Sequence, residues 1–235
     1  MGRYVNKNIY DDGTYLKNNP TWHAEDSVWK AGKIIEILER NGLSPKTVSE
    51  VGCGAGKILV ELQKGLDAHC EFFGFEISPQ AYDLCKKMEN ENLGFRLVDI
   101  TEEDVYSDVL LVIDVIEHLE DYFSFLRAIR PKAEFKIFHI PLELSVQTVL
   151  RSSPILKERK EVGHLHYFTK ETAMEVLTDT EYDILDYFFT AGTMELPPRS
   201  TWNRMTRLPR KALFALNRDL AARIMGRFSL MVLAK

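Results

Sequence analysis

The stretch Glu50-Val51-Gly52-Cys53-Gly54-Ala55-Gly56 sets three alternating glycines behind an acidic residue, at the end of an apolar run from Thr47 to Val51. A helical run follows it. Strand, glycine turn and helix make the first half of a βαβ unit, where glycine lets a ligand reach backbone that side chains would cover. Nicotinamide and flavin dinucleotides are served by the spacing G-x-G-x-x-G, whose third glycine would fall here on position 57. That position is Lys57, and the pattern is E-x-G-x-G-x-G instead.

Acids recur at the ends of the next apolar runs. Glu76 closes Glu71-Phe72-Phe73-Gly74-Phe75, Asp99 closes Phe95-Arg96-Leu97-Val98, and Asp114 follows Val109-Leu110-Leu111-Val112-Ile113. A carboxylate at the position of Glu76 can accept both hydroxyls of a ribose. With Asp114-Val115-Ile116-Glu117-His118-Leu119, the ordered series resembles the class I S-adenosylmethionine-dependent methyltransferases, in their small-molecule branch. The resemblance implies an α/β, Rossmann-like sheet of seven strands, mostly parallel, with helices on both faces and the last strand antiparallel. It implies S-adenosylmethionine as cofactor, lying across the carboxyl ends of strands 1 and 4. The cofactor-binding positions are then Glu50, Gly52, Cys53, Gly54, Gly56, Glu76, Ile77, Asp99, Ile100, Asp114 and Val115, with Glu50 steering the amino group.

At 235 residues the chain fits one α/β domain, divided into an N-terminal lid or helix (1–42), a core (43–192), a basic helical insertion (193–226) and a last strand (227–235). No apolar run is long enough to span a membrane, and the opening Met1 to Asn8 lacks a signal-peptide core, so a cytoplasmic protein is expected. Cys53, Cys70 and Cys85 form no C-x-x-C pair and are expected as reduced thiols.

Periodicity predicts a helix from Val28 to Arg40, capped by Asp26 or Ser27 and with Val28, Ala31, Ile34, Ile35 and Leu38 on its apolar face. A helix is expected from Ala55, another from Ser78-Pro79, and a fifth strand from Glu134 to Ile140 that stops before Pro141. Later elements are a helix opened by Thr169 with Glu171 nearby, a strand from Tyr182 to Phe189, and a last strand, Phe228 to Ala234. Tyr4, Tyr10, Tyr15, Trp22, His23 and Trp29 make the opening segment rich in aromatics. It either folds over the cofactor as a lid or buries its tryptophans against the sheet; Asp11-Asp12-Gly13 reads as a turn.

Methyl transfer to a hydroxyl requires a base, and histidine is the side chain most readily tuned for that near neutrality. His118, just past strand 4, is the first candidate; His164 and His166, in Gly163-His164-Leu165-His166-Tyr167-Phe168-Thr169, are the others. That stretch is similar to the H-x-x-F-[ST] segment that borders the acceptor in the family. His139 faces either the crevice or the core. In an extended strand His164 and His166 would share a face, but nothing at ligand spacing supplies a third partner, so no metal is expected.

From Arg199 to Arg227 eight basic residues face one acid, Asp219, a local balance of +7 against −12 in the rest of the chain. Pro209 is expected to break this segment, Asn217 to cap a second helix and Gly226 to end it. A basic amphipathic insertion suits an anionic acceptor or a peripheral membrane contact through 199–227. Nucleic acid is not expected: the chain is acidic overall and strand 4 lacks the Asn-Pro-Pro-aromatic motif of base-nitrogen enzymes. By resemblance, the expected acceptor is a small or lipid-linked molecule (a quinone, saccharide or envelope precursor), methylated at oxygen. The alternatives are a non-catalytic cofactor-binding partner subunit and, behind it, a nicotinamide-dependent oxidoreductase.

Overall fold

The computed structural model describes residues 13–22, 24–197 and 201–235, with the side chains of residues 14 and 201–203 set aside. Tyr4, Tyr10, the Asp11-Asp12 part of the turn, His23, Arg199 and the Trp202 side chain lie outside the described residues.

Two helices precede the sheet, α1 (Thr14–Asn18) and α2 (Ser27–Arg40). The α/β alternation then runs β1 (Thr47–Val51), α3 (Lys57–Gly65), β2 (Glu71–Glu76), α4 (Pro79–Cys85), β3 (Leu93–Leu97), β4 (Ser107–Ile113), α5 (Tyr122–Ile129) and β5 (Ala133–Leu142). The later chain forms α6 (Val146–Arg151), α7 (Ser153–Glu161), α8 (Lys170–Asp179), β6 (Ile184–Thr190), α9 (Gly192–Glu195), α10 (Thr201–Leu216), α11 (Arg218–Met225) and β7 (Phe228–Ala234).

The seven strands form one sheet in the order β3-β2-β1-β4-β5-β7-β6. All run parallel except β7, which inserts antiparallel between β5 and β6. This is the expected sheet, with one refinement: β7 pairs on both sides, and α9 to α11 occupy the connection to β6. Alternation along β4 feeds two cores. Leu110 and Val112 pack under α5, α8 and α11, whereas Val109, Leu111 and Ile113 pack under α2 and α3. Helices therefore cover both faces.

Several expectations on the elements change, β6 among them, which runs Ile184–Thr190 and not Tyr182 to Phe189. The buried stripe of α2 is Ser27, Ala31, Ile34, Ile37 and Leu38, while Val28 is 67% exposed, because the face turned to the sheet begins one residue earlier than the apolar pattern suggested. Strand β5 continues through Pro141, whose missing N–H is tolerated near the strand end opposite Ser229. Pro209 lies inside the continuous helix α10. The carbonyl of Met205, which Pro209 cannot satisfy, sits on an exposed stretch where water can reach it. The caps were read correctly: Asn217 accepts from the Leu220 N–H (2.9 Å), and Thr169 caps α8, in a reciprocal box with Thr172 and not Glu171.

Helix α3 starts at Lys57, two residues later than expected, because Gly56 is still left-handed (φ 71°) and serves as its N-cap. A Cβ on Gly56 would come within 2.8 Å of Phe95 and Cys85 atoms. The third glycine thus closes helix against strand. Gly56→Ala is expected to cost roughly 2–4 kcal/mol, from left-handed backbone strain plus overpacking, in urea unfolding. Gly94→Ala, with nothing within 4 Å of the added methyl, is expected to stay within about 1 kcal/mol of the parent.

Candidate active site

At the carboxyl ends of β1, β2, β4 and β5 the chain encloses a cavity of about 690 Å³. It opens where the strand order reverses between β1 and β4, the crevice in which such sheets bind ligands. Its walls include the turn Gly52–Ala55, Glu50, Glu76, Asp99, Asp114, His118 and His164, so the expected donor and acceptor ends share one space. The mouth is bordered by Tyr15, Asn19 and Trp22 on one side and by Ile155, Glu158 and Val162 on the other. Asn19 donates to the Glu161 carbonyl (3.0 Å), tying the N-terminal segment to the end of α7. Tyr15, Asn19 and Trp22 thus lie on the cavity while α2 packs on the sheet.

The donor end is built from backbone and buried carboxylates. Gly52 and Gly54 are left-handed (φ 64° and 54°), and a Cβ on Gly54 would meet only Trp22, at 3.8 Å. Gly54 therefore leaves room that a ligand can fill. Glu76 Oε2 accepts from the Gly54 N–H, and its Oε1 from the N–H groups of Ile77 and Ser78, all at 2.8 Å. Three of its roughly four acceptor sites are thus used by backbone, leaving room for one ribose hydroxyl where the sequence suggested two. Asp99 likewise turns inward, accepting from Thr101 N and Oγ1. Ile77, Ile100 and Val115 line the cavity, and Val115 packs over Gly52.

Glu50 is 2% exposed and its Oε2 has no hydrogen-bond partner among the described residues. Burial, with the charges of Glu76, Cys85 and Asp114 and against that of Lys30, pushes its carboxyl well above the usual range. A buried, unpartnered carboxylate is costly until a cation meets it. The amino group of S-adenosylmethionine is such a cation, and the glycine turn beside it gives the rest of that molecule room; the residues fit the cofactor. Cys53 lines the cavity but its sulfur packs towards Gly74 and Cys85, and the Cys85 hydrogen bond and burial push its thiol well up. It is a space-filler, not a nucleophile. Gly56 does not line the cavity.

Asp114 has the left-handed backbone (φ 53°) that ends β4 sharply. Its Oδ2 meets Lys30 Nζ of α2 at 2.6 Å and its Oδ1 meets His139 Nδ1 at 2.5 Å. The other nitrogen of His139 lies 2.9 Å from Thr190 Oγ1. Burial opposes its ionisation, but His139 and Lys30 hold the Asp114 carboxyl well below the usual range. His139 is therefore a buried support for Asp114, neither crevice base nor simple core. Trp29 packs edge-on to it and donates to Glu195 (2.8 Å), locking α2 to α9.

Beyond Asp114 the chain turns through Ile116–His118. The Glu117 carbonyl accepts from the N–H groups of Leu165 (2.7 Å) and His166 (3.1 Å), which pins the 163–166 loop against this turn. His164 Nδ1 meets Glu143 Oε2 at 2.8 Å, and its ring stands edge-on to His118 at 4.7 Å. Burial works against the imidazolium of His164, but the Glu143 hydrogen bond and the Glu117 charge outweigh it and raise the group to about 9. Glu117 is fully buried with neither carboxylate oxygen hydrogen-bonded, and burial, then Asp114, raises it to about 8.

His118 and His164 thus reach the cavity together, as the sequence suggested. His166 does not; it packs edge-on against Tyr122 (4.7 Å) instead. The 163–166 segment is a loop and not a strand, so the two histidines diverge. The elimination of a metal on the ground that the His164 and His166 pair lacks a third ligand therefore fails in its premise: Glu117, His118 and His164 place their ligand atoms within 4.8 Å of one another. Sequence reasoning passed over Glu117, although a glutamate directly before a crevice histidine was the available signal. Lys30, Glu143 and Thr190 were not foreseen as site residues, and His139 was left open between crevice and core.

A methyltransferase-domain family model matches residues 49–133, from β1 to the start of β5. Norajmaline N-methyltransferase of Rauvolfia serpentina is 24% identical over 136 residues, covering 54% of this chain and 46% of that protein. A tRNA N(3)-methylcytidine methyltransferase of Schizosaccharomyces pombe is 33% identical over 101 residues, 41% of this chain and 39% of that one. The chain thus spans less than half the length of these curated relatives. The solved structure of the N-methyltransferase NodS from Bradyrhizobium japonicum WM9, in complex with S-adenosyl-l-homocysteine, aligns over 95% of this chain and 98% of that one, with a TM-score of 0.58 and 15% identity. The family match marks a methyltransferase domain over residues 49–133, and the sheet order and glycine turn give the chain the fold of the class I, S-adenosylmethionine-dependent methyltransferases.

Glu50→Gln removes the charge but little volume. It is expected to weaken S-adenosylhomocysteine binding by roughly 10- to 100-fold in calorimetry, the worth of about 1.5–3 kcal/mol for a charge-assisted hydrogen bond. An unchanged affinity would remove Glu50 from the cofactor site.

Proposed function

We propose that the protein transfers a methyl group from S-adenosylmethionine to a hydroxyl oxygen of a small or lipid-linked acceptor, of the quinone, saccharide or envelope-precursor class. The observation that carries this reading is the continuity of one cavity from Glu50 and the glycine turn, past Asp114, to His118 and His164. Its volume of about 690 Å³ lies within the range of roughly 300–1,000 Å³ usual for small-molecule sites. The cofactor supplies a sulfonium methyl that is already electrophilic.

The chain's own work is to align the acceptor, exclude water and accept the hydroxyl proton as the new C–O bond forms and the C–S bond breaks. Asn19, Trp22 and α7 border the mouth against solvent. Because His164 carries its proton up to about 9, it suits fixing an acceptor oxygen more than taking a proton near neutrality. His118, beside it, is then the group placed to take the proton.

The acidic balance of the chain favours a small acceptor over nucleic acid, and we place the protein in the cytoplasm. On α10 and α11 Met205, Leu208, Leu216 and Leu220 are exposed among arginines and Lys211, which supports a peripheral membrane contact that would bring a lipid-linked acceptor within reach. No helix among the described residues is long and apolar enough to cross a membrane.

A methyl-labelled S-adenosylmethionine screen over lipid, saccharide and quinone extracts tests the reading. Label is expected in one of these pools. His118→Ala should lower the rate by about 10²- to 10⁴-fold with S-adenosylhomocysteine affinity unchanged. Failure of the pure protein to bind the cofactor, or transfer into nucleic acid instead, would overturn it.

A further inference from the structure

We propose that Glu117, His118 and His164 form a site for a divalent transition-metal cation, set in the acceptor end of the cavity. The three groups offer one carboxylate oxygen and two imidazole nitrogens, all within 4.8 Å of one another. Zinc ligands of these types sit at about 2.0–2.2 Å, so the set closes around an ion with side-chain shifts on the order of 1 Å. Two nitrogens and one oxygen suit zinc, cobalt or iron; magnesium prefers an all-oxygen octahedron.

Two further observations point to a ligand and not to packing alone. Glu117 is completely buried, yet neither of its carboxylate oxygens has a hydrogen-bond partner among the described residues. The Leu165 and His166 N–H groups bind its backbone carbonyl, so the loop that carries His164 is tied to it. Glu143 completes the arrangement: it binds His164 Nδ1 at 2.8 Å, so an ion would meet Nε2 by displacing the second ring proton. A carboxylate behind a histidine is the usual support of a metal-ligating imidazole, fixing its orientation and raising its basicity.

His118 and His164 line the cavity while Glu117 lies behind them, so an ion enters from the cavity and keeps its remaining coordination positions on that side. Three protein ligands with open positions is the pattern of a catalytic and not a structural site. With an ion bound His118 is a ligand and not the base, and an acceptor hydroxyl held there would release its proton to solvent water more readily; this last step alone rests on the methyl-transfer reading.

The test uses the full chain, stripped with a chelator and titrated with Co²⁺ while visible absorption is followed, with Zn²⁺ competition by calorimetry. One Co²⁺ per chain is expected, with ligand-field bands of a four- or five-coordinate ion and displacement by Zn²⁺. Glu117→Gln and His164→Asn, each confirmed folded by circular dichroism, should each weaken Co²⁺ at least tenfold while leaving S-adenosylhomocysteine binding intact. Absence of stoichiometric Co²⁺ binding in the folded chain, or binding undiminished in both variants, overturns the proposal. Retained S-adenosylhomocysteine binding in that case leaves the methyltransferase reading standing.

Discussion

A surplus of negative charge, gathered at the carboxyl ends of parallel strands, is the constraint on which the rest of the site depends. Glu50, Glu76, Asp114 and Glu117 all sit at or just past a strand end, and three of them are almost completely buried. Lys30 answers this group through Asp114, and the His164 imidazolium faces Glu117. Buried carboxylates without counter-ions shift upward and hold protons, or else wait for cations from outside. Of the two with unpartnered oxygens, Glu50 lines the cavity and Glu117 lies behind its acceptor end. A methionine-type ammonium suits the first, and a metal ion suits the second.

The surrounding structure keeps that arrangement from collapsing. Asp114 is held in a left-handed conformation that non-glycine residues rarely adopt, and two side chains on different elements secure it there. Lys30 comes from α2 and His139 from β5, so the docking of the first long helix and the register of the central strands meet at one carboxylate. Trp29 and Lys33 of α2 both reach Glu195, which fastens the same helix to the segment after β6. The scaffold is thus cross-linked around the cavity from both sides of the sheet.

The donor half was legible because its signals are local. A glycine turn, the strand before it and an acid at the end of each run are all properties of short windows, and the physics of a βαβ unit fixes what they mean. The acceptor half was only partly legible. Glu117 and His164 are far apart in sequence and meet only because two loop N–H groups bind one carbonyl, which no pattern of residue types announces. His139 stayed open between crevice and core, since alternation along a strand leaves two faces possible until the register is known. The misreading of Val28 and Pro209 has a simpler origin: apolar periodicity does not say which edge of a helix a sheet will cover, and an exposed helix tolerates a lost bond that a buried one would not.

The central claim is that the buried Glu50 carboxyl, pushed above the usual range by burial, receives the cofactor's cation. Calorimetry of S-adenosylmethionine binding near neutral pH, in two buffers of different ionisation enthalpy, measures the protons exchanged. Because burial raises the Glu50 carboxyl and pairing with an ammonium favours its ionised form, binding is predicted to release protons, and Glu50→Gln is predicted to lose that release. Binding with no proton release in the parent chain, or with the same release in the variant, would contradict the account.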